Sequence, residues 1–199
     1  MKTTNLKNSK NNLTMSLKNM IAYVMMALLS VVSVSCDNSD DSPSPGGGGG
    51  VGSADITLTA GGQQFKVVGP CGWAVAGGAN YIGANHNTNS QRVFSSYFNI
   101  STLPTVTTTY TLKEYDVNDN NPTHITMNMS EIAGSTLTEW SSKDSSGTLT
   151  LVVNGNTVTA NLAGITLYPQ TSGGVFTNGN TGAFANNGTM SGTLTFYRD

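Results

Sequence analysis

The sequence predicts an all-β domain, an antiparallel β-sandwich or barrel-like single domain, placed after a signal peptide and a flexible linker. Three observations carry that reading. From Ala54 onward the chain is rich in threonine, 24 of 146 residues, and Thr favours the pleated, half-buried surface of a strand. Apolar and polar residues alternate over short runs, and Gly- and Asn-rich turn signals recur roughly every 8 to 12 residues. No stretch sets apolar residues at i, i+3, i+4 and i+7 over three turns, so helix is expected to be nearly absent.

In chain order, Ile56 and Leu58 alternate with Asp55, Thr57 and Thr59, and Phe65 and Val67 resume the pattern after Gly61-Gly62, so residues 54–68 read as a hairpin. Residues 81–85 and 92–100 are the next strands, separated by the polar turn 86–90. Residues 107–113 place Tyr110 and Leu112 on one face; Ile125, Met127 and Met129 do the same, opposite His124, Thr126 and Asn128. Residues 147–163 form the clearest hairpin, because Asn154-Gly155 supplies the positive φ angles of a type I′ turn. A second pair, Asn178-Gly179, predicts a smaller projecting hairpin within 171–188. The last strand, 189–197, turns Leu194 and Phe196 inward, with Gly192 marking a bulge or a close approach.

The division is 1–35 leader, 36–53 linker and 54–199 domain. Met20 to Val34 is an uncharged, largely apolar run of 15 residues that ends on Ser35-Cys36. A membrane-spanning helix needs about 20 apolar residues, whereas a secretory leader needs about 7 to 15. Residues 37–53 hold two prolines, five consecutive glycines and Val51 as their only apolar side chain, too little burial to offset the entropy of ordering them. Charged residues are only 10% of the chain, and residues 36–199 carry five basic against eleven acidic groups. A nucleic-acid partner is excluded by that balance, since phosphate recognition needs a basic surface.

Small residues running into a single cysteine, Ser33-Val34-Ser35-Cys36, resemble the lipobox of bacterial lipoproteins, and Asp37-Asn38-Ser39-Asp40-Asp41 resembles the acidic surface-export tag of Bacteroidota lipoproteins. The hairpin at Gly61-Gly62 with Phe65, the strand 109–112, Ser146-Gly147-Thr148-Leu149-Thr150 and the closing segment 188–194 extend the likeness. The chain thus resembles Bacteroidota surface lipoproteins with a small all-β domain, a loose family with no agreed activity. The resemblance implies acylation of Cys36, attachment to the outer membrane through that lipid anchor, and exposure at the cell surface. Two acyl attachments anchor firmly where one chain is marginal.

Few residues offer chemistry. Cys71 is the one other cysteine and reads as a small buried hydrophobe; a nucleophilic role requires His86 or His124 within hydrogen-bond reach. Glu131 and Glu139 flank the bend 133–135 and read as a solvated hairpin pair rather than as paired acids. Asp116, Asn118 and Asn120 resemble the first half of a calcium loop, but Met127 stands where a bidentate Glu belongs, leaving a simple surface calcium site or a plain Asx-rich turn. No other cofactor is expected. Trp73, Tyr81, Trp140 and Tyr168 are the candidate ligand-binding residues, since sugar rings stack on exposed aromatic faces; Trp73 is assigned to a flexible segment, 69–80. The leading expectation is a non-catalytic binding module for a glycan or partner protein. The alternatives are a structural or assembly subunit of an outer-membrane complex, docking by a sheet edge or by 171–188, and a hydrolase.

Overall fold

A computed structural model describes residues 51–76, 79–100, 102–171 and 175–198. The leader, Cys36 and the linker up to residue 50 lie outside the described residues. Twelve strands form one sheet: β1 (Gly52–Ala60), β2 (Gln63–Ala76), β3 (Ala79–His86), β4 (Asn89–Phe98), β5 (Thr108–Leu112), β6 (His124–Ala133), β7 (Thr136–Ser141), β8 (Thr148–Asn154), β9 (Thr157–Asn161), β10 (Thr166–Pro169), β11 (Thr177–Asn178) and β12 (Gly188–Tyr197). One turn of 3-10 helix, Gly182–Ala185, is the sole helical element among the described residues.

Nine of the strands close a barrel in the order β1-β2-β3-β4-β6-β5-β8-β9-β12, and β12 returns to pair with β1 from Ser53↔Thr195 to Ala60↔Gly188. Closure removes the exposed edges that an open sheet would have to protect. Alternation dictates which side chains enter: Ile56 and Leu58 from β1, Phe65 and Val67 from β2, Phe94 and Phe98 from β4, Met127 and Met129 from β6, and Leu194 and Phe196 from β12 are all essentially inaccessible. The interior is a packed core rather than a lumen.

One wall of the barrel forks. β6 pairs with β5 at His124 and Ile125 but with β7 over Asn128–Ala133, while β12 pairs with β10 at Gly188 and Thr189 but with β9 over Thr193–Tyr197. The β7-β10 arm thereby bridges β6 and β12 beside the β5-β8-β9 arm. A fork strands backbone groups at its crotch, and Ser142 satisfies them: its Oγ accepts from Met127 N at 2.9 Å and donates to Lys113 O at 2.6 Å, within a wholly buried site.

At the proximal end β1 begins and β12 finishes; the β8–β9 turn lies there too, since Tyr197 pairs with Thr157. At the distal end are the β1–β2 turn, with Gly61 at φ 54° and Gly62 at φ 80°, and the β6–β7 turn. Two positive φ angles are what a two-residue hairpin turn demands. Gly192 sits at φ 104°, and a Cβ there would fall 2.0 Å from Asp55 O, so the close approach expected from sequence is real and lies on the closing β1–β12 seam.

Several expectations need correction. The sheet is not wholly antiparallel: β5–β6 and β7–β11 are short parallel pairings. Residues 69–76 are not a flexible segment but the second half of β2, which trades β1 for β3 as its partner at Cys71. In the β8–β9 hairpin Asn154 pairs with Thr157, so the turn pair is Gly155-Asn156, one residue later than predicted. Residues 175–187 form no projecting hairpin. Thr177 and Asn178 add to β7, and the buried Asn180 accepts from Glu139 N at 2.8 Å and donates to Phe184 O at 3.1 Å, drawing the segment over the distal end. Strands β10 and β11 were not foreseen, being only four and two residues long, whereas β7 closes the hairpin read across 133–135.

Candidate functional site

Because Ile82 and Phe98 point into the core, their neighbours Tyr81 and Tyr97 point outward, and the β3–β4 register sets the two directly opposite each other. Their ring centroids are 5.6 Å apart at 56°. Tyr115, three residues past β5, adds a third ring, 5.7 Å from Tyr97 and at 65° to it. The outcome is a ladder of three tyrosines on the barrel's flank. Burial, then the neighbouring phenols, raises the Tyr81 pKa; burial, then Tyr97 and Asp116, raises that of Tyr115. Both hydroxyls are therefore neutral and able to donate at physiological pH.

Tyr97 and Tyr115 of the ladder line a shallow recess together with Asn99, Lys113, Asp119 and His124. This polar wall is built from consecutive local hydrogen bonds. Asp116 Oδ1 accepts from Asn118 N at 2.9 Å, Asp119 Oδ1 accepts from Asn121 N at 3.0 Å, and Asn121 Oδ1 accepts from Thr123 N at 2.9 Å. Three such Asx turns in ten residues hold an exposed loop in one shape. Asp119 Oδ2 lies 2.8 Å from His124 Nδ1, and Asn121 Nδ2 lies 3.3 Å from His124 Nε2, so the imidazole is gripped at both nitrogens. The Asn121 amide, followed by His124, holds the Asp119 carboxyl below the usual carboxylate range.

The four aromatic candidates do not converge. Tyr81 belongs to the ladder. Trp73 is half-buried on the opposite face of the wall, its ring 5.4 Å from Phe98 in the proximal plug. Trp140 is a correction: it has no accessible surface, packs 5.2 Å from both Phe65 and Phe184, and donates from Nε1 to Asn186 O, so no ligand can stack on it. Tyr168 stands on β10, its hydroxyl 2.6 Å from Ser145 Oγ and Lys143 Nζ 5.2 Å from its ring centroid. Of the calcium candidates, Asp116 and Asn118 close an Asx turn on each other, and Asn120 is exposed on the same loop. The described residues contain no group of three or more His, Cys, Asp or Glu side chains poised around a metal.

The groups weighed for catalysis are also separated. Cys71 is buried in the core, which pushes its thiol up to about 12, and the two histidines bond elsewhere, His86 Nδ1 to Thr88 and His124 to Asp119. Glu131 pairs in register with Thr138 and Glu139 with Ser130, so the two carboxylates sit on opposite faces of the wall. Glu131 is engaged by Arg92 at 2.8 Å and by Asn89 at 2.6 Å. Tyr97, Tyr115 and Asp119 were missed, and His124 was weighed only as a base for Cys71. For Tyr97 the signal was present, an outward tyrosine on each of two strands joined by a short turn; Tyr115, Asp119 and the grip on His124 depend on how the eleven-residue loop 113–123 folds back. No protein-family model matches the chain, and no curated protein or solved structure is significantly similar to it.

Proposed function

We propose that this chain is a surface lipoprotein, acylated at Cys36 and held at the outer membrane, whose barrel binds a neutral saccharide on the Tyr81–Tyr97–Tyr115 ladder without covalent chemistry. The observation that carries the reading is the ladder itself: three adjoining aromatic rings beside fixed hydrogen-bonding groups at Asn99, Asp119 and His124. A pyranose presents apolar C–H faces and equatorial hydroxyls, and rings with a polar rim complement both. The loop's Asx turns preorganise the polar side, which lowers the ordering cost of binding. The anchor half of the proposal stands on the lipobox-like Ser33-Val34-Ser35-Cys36 and the tether behind it.

A glycan array followed by calorimetry tests the binding. Tyr97→Ala, which removes the middle rung, is expected to weaken association with a bound glycan at least about tenfold, one to two kcal/mol of lost stacking. Tyr168→Ala, outside both the ladder and the residues lining the recess, leaves it unchanged. A wild-type chain that retains no glycan, or a Tyr97→Ala variant that binds as well as wild type, overturns the reading.

A further inference from the structure

The proximal end of the barrel has an unusual rim. Residues 51–53, 73–75, 102–108, 152–158 and 195–197 on that end contain no Asp, Glu, Lys, Arg or His; Arg198, whose N donates to Asn156 O, is the charged residue beside them, and Asn99, Asp119 and His124 of the recess occupy the adjoining β4–β6 corner. On it Val75 and Val106 are two-thirds exposed, and Val51 and Val152 about half exposed. The register places these positions at one end. Val75 is on the last turn of the pleat in β2, beyond the start of β1, and Val106 precedes β5 where Val153 N donates to Thr107 Oγ1. The β8–β9 turn adjoins them. Behind the rim the core is closed by Trp73, Phe98 and Tyr110, with Ile100 and Leu103 packed against it, so the exposed valines are not the lip of a cavity.

The chain also enters the barrel here. Val51 is the first described residue, and residues 37–50 separate it from Cys36. Fourteen residues keep Val51 within about 50 Å of Cys36 even if fully extended, and a Gly-rich chain of that length spans about 20 Å on average by coil statistics. We propose that the proximal rim rests against the lipid bilayer that holds the acyl chains of Cys36, with Val75, Val106 and Val51 seated among the headgroups. This rests on the lipid-anchor reading. A valine-bearing stretch of rim without carboxylates is poorly matched to water and well matched to the interfacial region, and Arg198, held beside it by the bond to Asn156 O, is a cation suited to anionic headgroups. In this orientation the distal end points away from the membrane and the tyrosine ladder opens sideways.

The test uses the full chain, processed by a lipoprotein-exporting host and reconstituted into vesicles of zwitterionic and anionic phospholipid. An environment-sensitive fluorophore is attached in separate samples through Val106→Cys at the proximal rim and through Gln63→Cys, an exposed distal position. The buried Cys71 and the acylated Cys36 take no label. Quenching by nitroxide-bearing lipid is expected to be several-fold stronger at position 106 than at 63, and Val75→Asp in the same background is expected to abolish the difference. Equal quenching at the two positions on an acylated chain overturns the rim proposal alone, as does protection of position 106 that grows with protein density, the mark of a second copy covering the rim. A mature mass without acyl groups overturns the anchor and the rim proposal with it.

Discussion

The two ends of the barrel are plugged by similar aromatic clusters and finished in opposite ways. At the distal end Phe184 meets Trp140 edge-on at 5.2 Å and Phe65 at 6.2 Å, and over this cluster lies an ionic layer: the Arg92 guanidinium is 4.2 Å from the Phe65 centroid and bonds Glu131 at 2.8 Å. At the proximal end Phe98 meets Trp73 at 5.4 Å and Tyr110 at 5.2 Å, with exposed valines outside and no ion pair over the rings. Stability alone asks for the aromatic plug at each end. The difference lies in the outer layer, and it shows that burial of the core and the surroundings of the surface are decided by different residues.

The largest expected effect attacks the distal plug. Trp140→Ala removes the ring between Phe65 and Phe184 and the bond to Asn186 O, and its cost is expected to be about 3–5 kcal/mol in urea unfolding. A loss below about 1 kcal/mol would show that the distal cluster is not a plug at all.

A smaller effect concerns Glu139, which is partly exposed on the outer face near the distal end and whose carboxyl burial pushes up to about 7 from 4.5. The fold therefore favours its protonated form. Stability is fully present at acid pH, falls as pH rises from about 4.5 through about 7, and is level above that. Glu139→Gln is expected to raise unfolding free energy by on the order of 1–2 kcal/mol near pH 8 and to change it little near pH 4, read from urea melts at the two pH values. The same increment at both would sink the assignment.

The smallest effect is at the proximal rim. Val106→Asp places a charge on a side chain that is 68% exposed, and folding stability is expected to move by less than about 0.5 kcal/mol. A larger loss in thermal unfolding would mean that Val106 helps close the core, and the contrast between the two ends would narrow.

Legibility followed the range of the interactions. The hairpins β1–β2, β3–β4 and β8–β9 and the inward residues of β5, β6 and β12 could be read from alternation and turn chemistry, because both act between near neighbours. The turn in β8–β9 was placed one residue early, since Asn-Gly and Gly-Asn both tolerate positive φ and the register between Asn154 and Thr157 decides between them. Trp140 looked like a binding residue beside Ser-rich sequence, but β7 buries it by pairing with β6 and β10, partners 11 and 29 residues away at Met129 and Pro169. Of the candidate site Tyr81, the loop's Asp116 and Asn118, and His124 in another role were visible beforehand; the ladder needed the β3–β4 register, and the polar wall needed the turns at 116–123.

By itself the sequence determined that the domain would be all-β, where its surest hairpins fall and which face of most strands is apolar, because pleat alternation and positive-φ turns are properties of a few adjacent residues. Only the tertiary structure decided that the sheet closes through β1 and β12, that one wall forks around Ser142, and that three tyrosines from β3, β4 and the loop after β5 meet on one flank. Those outcomes depend on stagger and long-range pairing, whose cost in chain entropy is met collectively by the whole barrel and leaves no mark on any one short stretch.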